Sequence, residues 1–374
     1  MRIVIAKKLL STVGGSEAQA RALAQALRDR HHEVTLIGLR PAWRRPGISG
    51  DVVKAPRGPV EMAVAGVRYV FLPARFGALG GAIDGVFPSS LVSPTLLARA
   101  LAGADIVHSI AREWVGPLEH AAREAGAAFV ETPLVHPGQR LAGDAPADLA
   151  RYRRDDAVIA LTNWEADWYR ERGAREVHVT GIGPIIGTLP EAPMDPASVL
   201  FVGRKERYKG YDALREAARI VWRSRPETRF IAIGQDPWYA PLRPRWNDPR
   251  WIDRGVVSEA DKAEAFARAT IFAMPSVHET FGHTYLEAWY AWRPVIAGDI
   301  PPVREVVRDG VDGLLVPQQP AAIARAIVTL LGDPLRARRM GESGRFRLQQ
   351  KWTWELVAER TERAYEAGRA RKTV

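Results

Sequence analysis

The chain has 374 residues, of which 47% are hydrophobic and 26% are charged, and it contains no cysteine. This composition is typical of a globular protein and excludes intrinsic disorder, a fibrous repeat, a disulfide framework and thiolate chemistry. The net charge of +10 is compatible with binding to nucleic acid or to an anionic membrane. Because most arginines are spread along predicted helical faces, which are usually solvated, we expect no nucleic-acid partner.

The apolar run at the N-terminus stops at Lys7 and Lys8, which is far too early for the core of a signal peptide. No apolar stretch approaches the roughly 18 residues that cross a bilayer. We therefore expect a cytoplasmic protein, with peripheral contact at the inner face of the membrane as a further option.

The first half of the chain alternates short β-branched runs with amphipathic stretches, which predicts βαβ units and a parallel sheet. It opens with a strand at Arg2–Ala6, a Gly14-Gly15 turn and a helix from Ser16. Further strands are predicted at Glu33–Ile37, Val67–Leu72, Asp105–His108, Ala127–Glu131, Ala157–Thr162 and Glu176–Thr180, with helices near Val115–Ala125 and Asn163–Arg172. These elements predict a doubly wound domain over residues 1–183.

Glycines and prolines are dense between Gly181 and Pro196, which indicates a linker at 184–197. A second series of strands and helices follows and predicts a similar domain over 198–352, with a last helix at 353–374 that could pack back on the first domain. The ligands of such sheets bind at the carboxyl ends of the strands. The predicted strands are Ser198–Val202, Arg229–Ile233, Ile271–Met274, Pro294–Ala297 and Gly313–Val316, and the helices are Tyr211–Trp222, Ser258–Arg268, Gly282–Trp292, Ala321–Leu331 and Pro334–Gln350.

Two glutamates eight positions apart, Glu279 and Glu287, follow the predicted strand Ile271–Met274. Glu279 would lie in the loop after the strand, Gly282 would let the backbone approach a ligand, and Glu287 would lie in the next helix. The N-terminus of that helix offers unpaired N–H groups and the positive end of its dipole to a phosphate. By itself, the pair would favour the other interpretation, a capping acid and an exposed helical glutamate.

A basic loop, residues 203–210 (GRKERYKG), follows the predicted strand Ser198–Val202. Because it lies after a strand and before a helix, it predicts a site for a diphosphate. Arg204 and Lys209 are the candidate ligands of the diphosphate, whereas we expect Lys205 and Arg207 to be solvated.

These motifs, in this order, resemble the family of retaining glycosyltransferases with two Rossmann-like domains, the GT-B architecture, that share a Glu-x7-Glu motif and are described as glycosyl transferases group 1. The resemblance covers nearly the whole chain. It implies an α/β fold with two Rossmann-like doubly wound domains facing each other across a cleft. It rests on residues 14–17, 23–27 and 32–36 in the first half, and on 201–210, 275–276, 279–287 and 309–316 in the second.

The resemblance also implies an activity, the transfer of a hexose from a UDP- or GDP-linked donor to an acceptor hydroxyl with retention of configuration. In that role Arg204 and Lys209 would hold the diphosphate, Glu279 would contact the sugar hydroxyls and Glu287 would hold the ribose. His136 would lie near the reacting sugar, although a single loop histidine is as often a surface or packing residue. The remaining donor contacts would be backbone N–H groups at Phe281, Gly282, Thr284 and Tyr285, Val256 and Val257 beside the base, and Gly14 and Gly15 in a loop that approaches the diphosphate.

The sequence contains no Asp-x-Asp motif, and a basic loop with a helix N-terminus can hold a diphosphate without a cation. We therefore expect no metal and no cofactor, the nucleotide sugar being a co-substrate. The acceptor could be a small molecule, a glycan or a lipid.

Other functions remain open at this stage. A sugar-nucleotide epimerase or a phosphorylase could use the same scaffold. A non-catalytic protein could instead bind a membrane or nucleic acid through basic and aromatic residues, for which the candidates are Arg40, Trp43, Arg44, Arg45, Lys54, Arg57 and the segment Phe76–Leu101. The aromatic segment Gln235–Arg250 either stacks on an acceptor or packs a long loop, and we favour packing.

Overall fold

The computed structural model describes residues 1–8, 10, 14–40, 58–73, 92–112, 114–137, 143–237, 239–240 and 246–372. It divides into two compact units, Met1–Ile182 together with Trp354–Val374, and Gly183–Thr353. Each unit is built on one sheet of mainly or wholly parallel strands connected by helices, which confirms the predicted α/β class.

The sheet of the first unit has eight strands in the order β3-β4-β2-β1-β5-β6-β7-β8. Neighbouring strands are parallel except β3 and β4, which pair antiparallel at one edge. The strands are β1 (Arg2–Ala6), β2 (Glu33–Leu39), β3 (Val60–Val64), β4 (Val67–Leu72), β5 (Ile106–Ile110), β6 (Ala128–Thr132), β7 (Ala157–Ala160) and β8 (Val177–Val179), and the helices are α1 (Gly15–Asp29), α2 (Pro94–Leu101), α3 (Val115–Glu124), α4 (Pro146–Arg154) and α5 (Asn163–Glu171).

The sheet of the second unit has six strands, all parallel, in the order β11-β10-β9-β12-β13-β14. Its central strands are buried at every residue, which explains their continuous apolar sequences. The strands are β9 (Ser198–Val202), β10 (Arg229–Ile233), β11 (Trp251–Gly255), β12 (Ile271–Met274), β13 (Val295–Gly298) and β14 (Gly313–Val316), and the helices are α6 (Tyr211–Ser224), α7 (Glu259–Arg268), α8 (His283–Tyr290), α9 (Pro301–Val306), α10 (Pro320–Gly332) and α11 (Pro334–Lys351).

The last helix, α12 (Trp354–Lys372), belongs to the first unit although it follows the second unit in the chain. Its Val357 and Tyr365 lie in the apolar core of that unit. Its Glu362 accepts a hydrogen bond of 2.6 Å from Arg30 Nη2. Apolar burial and an ion pair therefore hold the helix on the first unit.

His108 on β5 has a structural role in this core. One ring nitrogen lies 2.8 Å from Tyr365 Oη and the other lies 2.7 Å from Thr132 Oγ1. Burial lowers the pKa of His108 to about 3, so the imidazole is neutral at physiological pH. With both nitrogens engaged, His108 joins β5, β6 and α12.

Among the strands and α-helices of the described residues, β3, β11, α2, α4 and α9 were not predicted from the sequence. The helices α2, α4 and α9 each begin with a proline in their first turn, where the missing N–H costs no hydrogen bond. Strand β3 is a partly exposed edge, and the middle of β11 is exposed, so neither has a strong apolar pattern.

The aromatic segment packs where it is described. The ring of Trp246 lies 5.8 Å from that of Trp222 and 5.2 Å from that of Trp251, and the guanidinium of Arg215 lies 4.7 Å from its centroid. This favours the packing interpretation for Trp246. Trp238 lies outside the described residues.

Among the described residues, no helix is both long and apolar enough to cross a membrane. Helix α2, at the end of the predicted membrane-contact segment, buries Leu97 and Leu101 in the first unit. Among the other predicted membrane contacts, Arg40 is half-buried. The remaining ones lie outside the described residues: Trp43, Arg44, Arg45, Lys54, Arg57 and residues 76–91.

Candidate active site

Four loops meet at the carboxyl edge of the second sheet. Because β11, β10, β9 and β12 are neighbours and parallel, the segments that follow them emerge side by side. These segments are 203–210 after β9, 234–237 after β10, 256–258 after β11 and 275–282 after β12. Most of the predicted site residues lie in these segments or in α8.

The basic loop places two cations around one aromatic ring. The guanidinium of Arg204 and the ammonium of Lys209 lie 5.6 and 5.4 Å from the centroid of Tyr208. Arg204 also donates a hydrogen bond to the hydroxyl of Tyr208. The side chain of Arg207, in the same loop, is 85% exposed, as predicted.

Lys209 forms an ion pair with Glu279. Its Nζ lies 2.5 Å from Glu279 Oε2, and the two side chains are only 15% and 8% exposed. The pair joins the loop after β9 to the loop after β12, and charge-assisted hydrogen bonds of this kind are among the stronger contacts in proteins. The structure therefore brings together two residues that the sequence analysis proposed separately.

Close backbone packing and the side chain of Gln318 hold the loops after β9 and β12 at a fixed separation. Gly210 has φ of 81°, and a Cβ at this position would lie 2.7 Å from the carbonyl oxygen of Pro275. Gln318 Nε2 donates to the carbonyl oxygens of Tyr208 (3.2 Å) and Pro275 (2.8 Å). Gln318 was missed by the sequence analysis because no local pattern marks it.

Helix α8 begins at the site. Its N-cap Gly282 has φ of 86°, and a Cβ there would lie 2.3 Å from the ring of Tyr285, so a larger residue does not fit this turn. The side chains of Phe281, Thr284 and Tyr285 are buried, and Tyr285 donates its hydroxyl hydrogen to Met274 O (2.8 Å). Only backbone groups of these residues can therefore serve a ligand. The N–H of Tyr285 donates to Gly282 O (2.9 Å) within the first turn of α8, and its predicted contact with the ligand stays a prediction.

Glu287 is completely buried, so the interpretation as an exposed helical glutamate is wrong. Its Oε1 lies 3.2 Å from Lys262 Nζ, and Lys262 also donates to the carbonyl oxygen of Ile185 (2.8 Å). Its Oε2 is buried and has no hydrogen-bond partner among the described residues. Burial raises the pKa of Glu287 to about 7, although the nearby Lys262 opposes this shift.

His283, the first residue of α8, was also missed. Burial lowers the pKa of His283 to about 4, and the charges of Lys262 and Lys209 lower it further against the opposing effect of Glu279. The imidazole is therefore neutral at pH 7 and lies within the electrostatic field of the site.

Lys205 corrects another prediction, because it is fully buried rather than solvated. Its Nζ lies 2.5 Å from Asp253 Oδ1 and 3.2 Å from Asp236 Oδ2. Burial alone would raise the pKa of Asp253, but the hydrogen bonds from Lys205 and Gly255 lower it on balance.

The remaining predicted residues have these positions. Val256 is 55% exposed and Val257 is half-buried, directly after β11. Gly14 and Gly15 precede and begin α1 in the first unit, and Gly14 has φ of 126°. His136 is half-buried in the segment after β6, also in the first unit.

Chemically, the carboxyl edge of the second sheet can hold an anion and a polyol. Arg204, Lys209 and the N-terminus of α8 present positive charge, while Glu279 and Glu287 present carboxylates that accept hydrogen bonds. Among the described residues, no group of three or more histidine, aspartate or glutamate side chains is placed to hold a metal ion.

Two family models match the chain and together account for most of it. Residues 14–184 match the glycosyl transferase 4-like domain, and residues 196–333 match glycosyl transferases group 1. The second match contains every site residue named above in the second unit except Ile185.

Among curated proteins, the chain is similar to alpha-maltose-1-phosphate synthase of Mycobacterium tuberculosis strain H37Rv, with 32% identity over 210 residues. The match covers 52% of this chain and 52% of that protein, so it spans about half the length of this curated relative.

Among solved structures, sucrose-phosphate synthase from Thermosynechococcus elongatus aligns with a TM-score of 0.76 and 20% identity over 98% of both chains. HepE from Anabaena in complex with UDP-glucose aligns with a TM-score of 0.72 and 16% identity over 97% of this chain and 98% of that one. At these identities the likeness establishes the fold, which is GT-B.

The raised pKa of Glu287 predicts a pH-dependent stability. In the unfolded chain this glutamate would titrate near its ordinary pKa of 4.5, so between about pH 4.5 and 7 the folded protein holds a proton that the unfolded chain has released. Raising the pH through this range therefore favours unfolding. Glu287→Gln has no such proton to release, so its stability does not decrease for this reason. We therefore expect the stability of the variant relative to wild type to increase from pH 5 to pH 8.

Urea midpoints of both proteins at the two pH values measure this difference. Glu259→Gln is the matched control, because Glu259 contacts the same lysine but is 58% exposed. A wild-type-to-variant difference that does not change with pH would contradict the burial argument.

Proposed function

The chain belongs to the family of group 1 glycosyl transferases and has the GT-B fold, and we propose that it is a retaining glycosyltransferase that uses a nucleotide diphosphate sugar. The donor in this proposal is a UDP- or GDP-linked hexose, and the acceptor is a hydroxyl of a small molecule, a glycan or a lipid. The complex of the similar HepE with UDP-glucose supports a nucleotide sugar as donor.

The observation that carries the proposal is the Lys209–Glu279 ion pair beside Arg204 and the N-terminus of α8. A diphosphate needs cations and N–H donors, and a sugar needs an acceptor of hydroxyl hydrogen bonds. An ammonium group has three donors and a carboxylate has about four acceptor positions, so both members of the pair can bind a ligand while contacting each other.

In this proposal, Arg204 and Lys209 stabilise the negative charge that builds on the departing diphosphate. Glu279 accepts hydrogen bonds from the hydroxyls of the donor sugar. Glu287 holds the ribose, and its unpaired Oε2 is the group that a ribose hydroxyl would satisfy. Val256 and Val257 flank the base, and the backbone N–H groups of Phe281, Gly282 and Thr284 serve the sugar and the phosphate.

From the first unit, the proposal assigns Gly14 and Gly15 to a loop that approaches the diphosphate and His136 to a position near the reacting sugar. The cytoplasmic location and the peripheral membrane contact remain predictions from the sequence.

We expect Arg204→Ala and Lys209→Ala each to reduce turnover by about a hundredfold or more, because each removes a charge directed at the leaving group. Arg207→Ala is the matched control, since it removes a cation from the same loop whose side chain is exposed, and it should keep a near-normal rate. The measurement is the rate of release of the nucleoside diphosphate from the donor sugar. Near-normal rates in both site variants would remove the basis of the proposal. Conversion of the donor into a different nucleotide sugar would identify an epimerase instead.

We expect the activity not to require a divalent cation, because Arg204, Lys209 and the N-terminus of α8 supply positive charge at the proposed diphosphate position. Assays with and without a chelator test this directly. Loss of activity with the chelator and recovery with Mg²⁺ or Mn²⁺ would contradict it.

We expect an α-linked donor to give an α-linked product. Inversion needs a base that deprotonates the acceptor on the face opposite the leaving group, and a covalent intermediate needs a carboxylate at the anomeric carbon. The proposal places Glu279 on sugar hydroxyls and Glu287 on ribose, so neither serves these steps. Attack then comes from the face of departure, with a diphosphate oxygen taking the proton of the acceptor. The anomeric proton coupling of the product, measured by NMR before mutarotation, reports the outcome, and a β-linked product would refute this route.

A further inference from the structure

Lys205 carries a buried charge that the proposed reaction does not use. Its side chain has no solvent exposure, whereas those of its partners Asp253 and Asp236 are 37% and 54% exposed. A buried ammonium is costly unless it is paired, so these contacts constrain the positions of both aspartates.

The contacts of Lys205 connect the loops after β9 and β10 with the end of strand β11. Lys205 follows β9, Asp236 follows β10 and Asp253 lies near the end of β11. The backbone N–H of Lys205 also donates to the carbonyl oxygen of Gln235 (3.0 Å). The residue therefore connects the loop after β10 and the end of β11 to the basic loop after β9.

Asp253 connects Lys205 to the segment that follows β11. Its Oδ1, which contacts Lys205, also accepts a hydrogen bond from the N–H of Gly255 (3.0 Å). Its Oδ2 accepts from the hydroxyl of Tyr211 (3.0 Å), the first residue of α6. Gly255 has φ of 64° and directly precedes Val256 and Val257.

We infer that Lys205 is a positioning residue for the segment Gly255–Val257, and that it sets the affinity for the nucleoside end of the donor. The inference rests on the proposed function, in which Val256 and Val257 flank the base. Lys205 itself does not touch the reacting groups. It holds the base-contacting segment at a fixed distance from Arg204 and Lys209, which hold the diphosphate.

Lys205→Met tests this arrangement, because methionine keeps an unbranched chain and removes the ammonium. The probes are UDP and GDP, measured by calorimetry, and inorganic pyrophosphate, measured as a competitor. For the nucleotide that wild type binds, we expect the Kd to increase at least tenfold, and the KM of the corresponding donor sugar with it. The affinity for pyrophosphate and kcat at saturating donor should change less than threefold.

Two further variants separate positioning from stability. Lys205→Met leaves the carboxylate of Asp253 unpaired, which should lower the melting temperature. In the double variant Lys205→Met, Asp253→Asn this carboxylate is also removed, so the melting temperature should recover while the nucleotide affinity stays weak. Arg293→Met removes a largely buried cation of the same unit that donates to the carbonyl oxygens of Phe266 and Ala267, and it should lower the melting temperature without changing the nucleotide Kd.

The outcomes distinguish this inference from the proposed function. If wild type binds neither nucleotide, the proposed function fails and the inference fails with it. If wild type binds a nucleotide and Lys205→Met binds it equally well, only the inference is overturned. Equal losses of nucleotide and pyrophosphate affinity would also overturn it, because Lys205 would then act on the basic loop and not on the segment beside the base.

Discussion

The carboxyl edge of the second sheet depends on one constraint: the lysine ammonium groups buried there must be paired with carboxylates. Lys205, Lys209 and Lys262 are 0%, 15% and 14% exposed, and each contacts a carboxylate. Each pair joins two different segments of the chain. Because an unpaired buried charge is strongly destabilising, the pairs of Lys205 and Lys209 hold the loops after β9, β10 and β12 and the end of β11 in one arrangement. The pair of Lys262 holds α7 and α8 together.

Burial also shifts the pKa values of two residues of α8, Glu287 and His283. Glu287 has a pKa near 7 and an unpaired oxygen, and His283 is held neutral close to Lys209 and Lys262. Groups with perturbed pKa values of this kind cluster at functional sites. In the proposed function, a ribose hydroxyl would hydrogen-bond to the unpaired oxygen of Glu287.

The sequence predicted much of the fold because the central strands are continuous apolar runs. The bounds of β1, β4, β9, β10, β12 and β14 agree with the prediction residue for residue. The helices α2, α4 and α9, which were not predicted, each begin with a proline in a first-turn position that tolerates it. The residue roles at the site, including those of Val256, Gly15 and His136, stay predictions.

The candidate site was predicted in its motifs but not in its contacts. Glu279 and Lys209 are 70 positions apart, and their ion pair depends on the adjacency of β9 and β12, which no local pattern reveals. Lys205 resembles any other charge of a polar loop, and its burial depends on Asp253 in β11 and Asp236 in the loop after β10. Helix α8 has little polar face, because Glu287 is buried together with its neighbours Leu286, Ala288 and Trp289.

If the carboxyl edge of the second sheet binds a nucleotide diphosphate sugar, that sugar must stabilise the folded protein. The melting temperature with UDP-, GDP-, ADP- and dTDP-linked sugars measures this. A ligand at 100 times its Kd stabilises the folded state by about 2.7 kcal/mol, which is readily detected. We expect a clear increase of the melting temperature of wild type with at least one of these sugars, and no increase of that of Lys209→Ala with the same sugar. No increase with any of them, or an equal increase in wild type and Lys209→Ala, would contradict this expectation.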